Sequence, residues 1–271
     1  MPTFETPGPV LLRISTEVGT VNIDTAESAR VEVDVEPLKS NSASREAAAE
    51  TKVELVDRGG RYEVVVEAPK RWLSFGRGAA IAIRVTCPEK AQLEIRTATA
   101  DVETRGRLAR VEAQTATGDL RFELVSGDAS VTTASGDVSV GEIGGAGKVK
   151  SASGDVEVRL GGGALSINSA SGDVRVDRAL AGVSVGSASG DIEIGACEAG
   201  EIRLQSVSGD VRVGVREGLR VWIDASSVSG SISSDLPPED GPPAESTAAL
   251  EIRARTVSGD VRIVPAAGAS V

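Results

Sequence analysis

One short motif returns through the chain at a spacing that leaves very few folds open to it. It reads TATGDLRF at 115–122, TASGDVSV at 133–140, SASGDVEV at 151–158, SASGDVRV at 169–176 and SASGDIEI at 187–194. SVSGDVRV follows at 206–213, SVSGSIS at 227–233 and TVSGDVRI at 256–263, and TATADVE at 97–103 is an earlier copy with Ala100 in the glycine place. The glycines stand at 118, 136, 154, 172, 190, 209, 230 and 259, so the steps between them are 18, 18, 18, 18, 19, 21 and 29. A fixed period of this length marks a repeat architecture in which each unit is one layer of a stack. The largest step exceeds 18 by 11, the length of the Pro-rich acidic stretch DLPPEDGPPAE at 235–245. Proline cannot donate to a β ladder, so this stretch reads as a loop pushed out of one coil.

Within a copy the hydrophobicity alternates with period two, as in a strand. Strict alternation through SASGDVRV puts Ala170, Gly172, Val174 and Val176 on the inner face, and Ser169, Ser171, Asp173 and Arg175 on the outer one. A second apolar pair recurs between motifs: Leu165 and Ile167, then Val183 and Val185, then Ile202 and Leu204. Each coil therefore carries two strands with glycine-rich corners such as 161–163, and successive coils stack in parallel, valine on valine and serine on serine. One coil buries roughly five or six small apolar side chains, on the order of 10 kcal/mol. Ordering 18 residues costs more than that, so a single coil is unstable and the stack supplies the stability. The predicted fold class is all-β: a parallel β-solenoid with 18-residue coils, capped by an irregular N-terminal β region.

Composition fits thin layers of small side chains. The chain has 31 glycines, no histidine, one tyrosine, two tryptophans and three phenylalanines in 271 residues. Residues 1–96 lack the 18-residue register but are rich in strand patterns, at 10–15, 20–24, 30–35, 52–57, 61–67 and 79–86. They read as a cap that protects the first coil from pairing with other chains. Val18-Gly19-Thr20-Val21-Asn22-Ile23 looks like a decayed copy of the motif, and 44–50 fits one short helix or a loop. The solenoid is placed at 97–264, with the loop at 235–245, Trp222 covering the far end and a disordered tail at 265–271. Cys87 and Cys197 do not make a disulfide framework and read as two small buried thiols in a reducing compartment. No signal-peptide pattern opens the sequence and no run of about 18 apolar residues occurs, so a soluble, cytoplasmic protein is expected. A net charge of −11 argues against general nucleic-acid binding, which needs a basic stripe.

The SASGDVxV repeats, preceded by a β-rich segment containing Gly19-Thr20-Val21-Asn22-Ile23, resemble a bacterial β-strand-repeat family of unknown function whose members are often labelled candidate adhesins. The resemblance covers nearly the whole chain and is closest to actinobacterial members. Some relatives accompany cell-envelope stress systems, which implies a structural or sensing role. The family offers no catalytic motif to carry over.

Several features could carry function. The outward serines and aspartates Ser135, Asp137, Ser153, Asp155, Ser171, Asp173, Ser189 and Asp191 form a regular candidate interaction face, part of an Asp ladder that includes Asp101, Asp119 and Asp210. Coils stack about 4.8 Å apart, and two like charges at that distance repel by about 0.9 kcal/mol even in water. Either nearby hydroxyl and backbone N–H groups offset this, or cations such as Ca²⁺ do. One Asp per coil supplies too few oxygens for a closed Ca²⁺ site, so the first is expected. Glu157, Arg175, Glu193 and Arg212 alternate in charge on successive coils and read as cross-strand pairs that fix register. Arg71, Trp72, Phe75 and Arg77 lie in an unusual cationic, aromatic stretch, a candidate docking loop for a partner or a membrane surface, or else a connector packed on the cap.

Without histidine, catalysis would fall to Asp, Glu, Lys or Arg, as in sugar-cleaving enzymes built on other β-helices, and no irregular cluster interrupts the ladder except the 235–245 loop. The threonine pairs Thr97/Thr99 and Thr115/Thr117 suggest an ice-binding face, but they give way to serine within two coils. No catalytic residue, cofactor or metal site is assigned. The expected function is a non-enzymatic structural or partner-binding β-solenoid, with a protein partner and a monomeric or weakly homo-oligomeric state. The alternative is a Ca²⁺-dependent adhesive or glycan-binding solenoid.

Overall fold

A computed structural model describes residues 1–69, 78–236 and 250–266. It divides into two compact units, Met1–Val138 and Ser139–Val271. The fold is nearly all-β, and its repeating element is the parallel coil that the 18-residue spacing predicts. No helix among the described residues is long and apolar enough to cross a membrane.

The first unit runs through β1 (Thr3–Glu5), β2 (Val10–Ala26), β3 (Arg30–Pro37), α1 (Ser42–Glu50), β4 (Lys52–Asp57), β5 (Tyr62–Glu67), β6 (Ile81–Pro88), β7 (Gln92–Leu108), β8 (Arg110–Thr117), β9 (Leu120–Val125) and β10 (Ala129–Ser135). Its layers do not follow chain order. β2 lies between β5 and β6 on one side and β7 on the other, and all these pairings are parallel. Gly19 sits opposite Ala100 and Thr20 opposite Asp101, so 18–23 is indeed a copy of the motif, threaded into the stack from 81 residues upstream. β7 then pairs with β8 and β9, and β8 with β10, in the 18-residue register. β4 pairs antiparallel with β5, β3 antiparallel with β6, and β1 antiparallel with β3. This switch from parallel to antiparallel ends the regular stack.

The 44–50 segment is helical. Asn41 caps α1 by accepting the Ser44 N–H at 2.8 Å, and the buried Ser44 hydroxyl accepts the Ala80 N–H at 3.1 Å, which ties the helix to the start of β6.

The second unit holds β11 (Val138–Ile143), β12 (Gly147–Ser153), β13 (Val156–Gly161), β14 (Leu165–Ser171), β15 (Val174–Ala179), β16 (Val183–Ser189), β17 (Ile192–Cys197), β18 (Gly200–Ser208), β19 (Val211–Val215), β20 (Val221–Ser229), β21 (Ile232–Ser234), β22 (Leu250–Ser258) and β23 (Val261–Pro265). Even-numbered strands from β12 stack on one another, as do odd-numbered strands from β13, in parallel and residue on equivalent residue. Sequence order fails again near the end. β22 and β23 pair with β18 and β19, and β20 and β21 pair with β22 and β23. The copy at 221–234 is therefore the outermost coil, and the last copy in the sequence lies beneath it.

In the coils at 165–176 and 183–194 each strand sends two aliphatic side chains into the core. Leu165, Ile167, Val174 and Val176 are buried, and so are their counterparts Val183, Val185, Ile192 and Ile194. The strict alternation read across the motif needs correction. Ser169 is buried and Ala170 exposed, because the strand stops at Ser171 and turns before Val174. The motif is a corner between two strands, so the alternation does not carry through it. Gly172 has φ +113°, and a Cβ built there would overlap the carbonyl oxygen of Gly154 on the neighbouring coil. The glycine is required by backbone conformation at this bend and by the close approach of the neighbouring coil's backbone. The break is absent from the first layers: β7 runs through Ala100, and β2 through Gly19, each as one 17-residue strand.

Trp222 does not cover the far end. Its ring is on the outer side of β20, 41% exposed, with the Arg253 guanidinium 5.7 Å from its centroid. Both cysteines are fully buried free thiols. Cys197 takes a place held by Gly161, Ala179 and Val215 in adjacent coils, a packing role. At the C-terminal end Pro265 pairs with Val215, and the Ala266 N–H donates to the Val215 carbonyl, so order extends two residues into the proposed tail. Residues 267–271 and most of the 235–245 loop lie outside the described residues.

Candidate interaction face

The first hydroxyl of the motif lies inward at the corner, and in four copies it donates to the carbonyl two residues on: Thr115 to Thr117 at 2.9 Å, and Thr133, Ser151 and Ser169 to Ser135, Ser153 and Ser171 at 3.1 Å. In later copies the bond changes: Ser227 donates to the Gly259 carbonyl at 3.0 Å and Thr256 to that of Gly209 at 3.4 Å, while the buried Ser187 and Ser206 hydroxyls have no hydrogen-bond partner among the described residues. A short hydroxyl that closes onto its own backbone fixes a turn. This role was missed in the sequence, where both hydroxyls of each motif were placed outside. The signal was present: the first hydroxyl aligns with a buried register two residues after the Leu165/Ile167 pair.

The second hydroxyl and the aspartate face outward. Ser135, Asp137, Ser153, Asp155, Ser171, Asp173, Ser189 and Asp191 are all exposed. In the first unit Ser135 stands opposite Thr117. In the second, Ser153, Ser171, Ser189, Ser208, Ser258 and Ser229 form one continuous row.

The aspartates are linked head to tail. Oδ1 of Asp101 accepts the backbone N–H of Asp119 at 3.0 Å, and Oδ1 of Asp119 that of Asp137 at 3.1 Å. In the second unit Asp155, Asp173, Asp191 and Asp210 each accept the N–H of Asp173, Asp191, Asp210 and Asp260 in turn, at 2.8 Å. Asp260 accepts the N–H of Ser231 at 2.8 Å. Backbone donors thus meet the like-charge repulsion of the ladder, and a charged acceptor makes each bond stronger than a neutral one. The Ser231 N–H holds the Asp260 carboxyl below the usual carboxylate range, with Arg262 helping. The ladder stops at Ser231, and among the described residues no further coil follows to donate an N–H to a carboxylate there. This exchange of Asp for Ser is visible in SVSGSIS, but its meaning needs the stacking order.

The alternating charges fall as expected. Arg175 pairs in register with Glu157 and Glu193, and its guanidinium is 2.9 Å from Glu193 and 2.8 Å from Asp177. Those carboxylates, Asp177 first, raise its pKa further. Arg71, Trp72, Phe75 and Arg77 lie outside the described residues. Among the described residues no group of three or more Cys, Asp or Glu side chains is placed to hold a metal ion.

Beside the serine row runs a column the sequence reading overlooked. Its outward members are Ala152, Ala170 and Ala188, followed by Val207, Val257 and Val228. The valines are 56%, 50% and 82% exposed. The face is therefore polar and acidic over most of the second unit and becomes apolar toward its outermost coil.

A parallel-coil solenoid with a regular hydroxyl and carboxylate corner defines the class of this protein. The Toastrack DUF4097 family model matches residues 11–264, and the chain belongs to that family. Solved structures similar to it include a candidate adhesin from Parabacteroides merdae (11% identity, 97% of this chain and 94% of that one, TM-score 0.44). A candidate lipid-binding protein from Parabacteroides distasonis is 13% identical over 96% of each chain, with TM-score 0.43. A candidate cell adhesion protein from Clostridium sporogenes is 11% identical over 96% of this chain and 94% of that one, with TM-score 0.27. No curated protein matches this chain.

Proposed function

We propose that this protein is a non-enzymatic binding scaffold that recognises a protein partner through the serine and aspartate rows of its corners. The observation that carries this is the exposure of every predicted face residue on hydrogen-bonded strands at one-coil spacing. One oxygen of Asp173 and of Asp191 is committed to the ladder; the other has no described partner. Such a surface offers hydroxyls and carboxylate oxygens at a fixed repeat, which suits a partner rich in hydrogen-bond donors. Preorganisation keeps the entropy cost of binding low.

Replacing Ser153, Ser171 and Ser189 together by arginine should leave the fold intact, since all three are exposed. Affinity capture with quantitative mass spectrometry should then show partners held by the wild-type chain and lost by the triple variant. Equal capture by both would remove this face from the function. Calorimetric titration supplies the second arm: Ca²⁺ bound with micromolar affinity at one ion per one or two coils would favour the adhesive or glycan-binding alternative.

A further inference from the structure

The outermost coil of the second unit is unfinished. In every inner coil the core positions are sealed by a layer on each side. In β20 and β21 the same positions have, among the described residues, a layer on one side only. Ile223 is 36% exposed where Ile252, its neighbour in register, is fully buried. Ile232 is 48% exposed where Val261 is fully buried. Among the described residues β20 pairs only with β22, and its other edge is the kind of template that proteins ordinarily block with charge, proline or a bulge. Among the nine residues VWIDASSVS only Asp224 is charged, and there is no proline.

The structure also says what kind of layer can follow. A further parallel coil would donate its corner N–H to a carboxylate, as each coil of the ladder does, but this coil carries Ser231 there. An antiparallel strand has no such requirement. β20 is complementary to itself in that direction. With a two-fold axis through Ala225, Trp222 lies opposite Val228 of the second copy, Ile223 opposite Ser227, and Asp224 opposite Ser226. Directly opposed residues share a face in an antiparallel pair, so the exposed Trp222 and the 82% exposed Val228 meet on the outer side. Moving the axis by one residue to Asp224 would set the two carboxylates against each other.

We infer that this edge is a self-association surface: two copies join through β20 in antiparallel, two-fold symmetric fashion, centred on Ala225. The symmetry is closed, so the product is a dimer and not a fibre. The inference is independent of the partner face.

The test uses the full chain. Sedimentation velocity over a concentration series from about 1 to 300 μM should show a monomer–dimer equilibrium. Val228→Glu alters an exposed side chain and should weaken the dimer at least tenfold without changing the thermal midpoint. The double variant Trp222→Cys, Val228→Cys should form a covalent dimer in the presence of a short bis-maleimide cross-linker, which spans the roughly 4.5–5.5 Å between opposed Cβ atoms whichever hydrogen-bonding class the pair has, and both native thiols are buried. A chain that stays monomeric at every concentration overturns the proposal. So does a dimer that Val228→Glu leaves unchanged, or a double variant that fails to cross-link, since either would place the interface or the register elsewhere.

Discussion

At the scale of residues, each motif position answers to a separate physical demand. Val174 is 1% exposed between two layers, and a carboxylate there would meet only aliphatic side chains. Val174→Asp should cost about 4 kcal/mol or more, in the range reserved for buried unpaired charge. Asp173→Asn keeps an oxygen that can accept the Asp191 N–H and removes one like charge from the ladder. It should leave the midpoint of thermal unfolding nearly unchanged. Equal shifts for the two variants would mean that the inner and outer faces are exchanged. Val174 and Asp173 were both placed correctly from the sequence. Ser169 and Ala170 were not, because period-two counting holds only while the chain stays extended and the corner breaks it.

At the scale of elements, the direction of the Asp ladder makes two positions of the same motif unequal. Asp191→Ala should destabilise by about 1 kcal/mol, the usual value of a hydrogen bond lost from a backbone donor, since the Asp210 N–H loses its acceptor. Ser231→Asp should have no stabilising effect, because no coil among the described residues follows to donate to it. Chemical denaturation of the two variants checks both, and a gain from Ser231→Asp would reveal a hidden donor at the open edge. The bond to Ser231 also carries a pH signature. The folded Asp260 pKa lies below its unfolded value, so its contribution is present above the unfolded pKa of about 4 and is lost as pH falls through the folded one. The thermal midpoint should drop between pH 5 and pH 3, and Asp260→Asn should make that drop smaller. An unaltered slope would show that other carboxylates account for the acid sensitivity.

At the scale of the whole molecule, two buried thiols report on the two compact units separately, Cys87 in the first and Cys197 in the second. Burial pushes both up to about 12, with Asp24 adding to the effect at Cys87. The raised values mean that thiol burial favours the folded state fully below the ordinary thiol pKa, near 8.5, and that this preference is lost as pH rises toward 12. At pH 8 neither thiol should react with a disulfide reagent over an hour in the native protein, and both should react within minutes in denaturant. If one reacts early in a urea series, its unit opens first, as expected of stacked repeats whose cooperativity is local. Fast reaction of either thiol in the native state would contradict its burial.

The sequence by itself determined the coil: its length, its two strands, its parallel stacking, its all-β class and the outward rows of Ser and Asp. These follow from spacing and local pattern, which are properties of the chain alone. Only the tertiary structure decided the order of the layers. β2 sits between β6 and β7, and β22 lies between β18 and β20, because near-identical copies can pair in any order and local pattern does not choose among them. What does choose is long-range: the antiparallel strands that end the stack in the first unit, and in the second the fit of each layer on its neighbour and the missing carboxylate at Ser231.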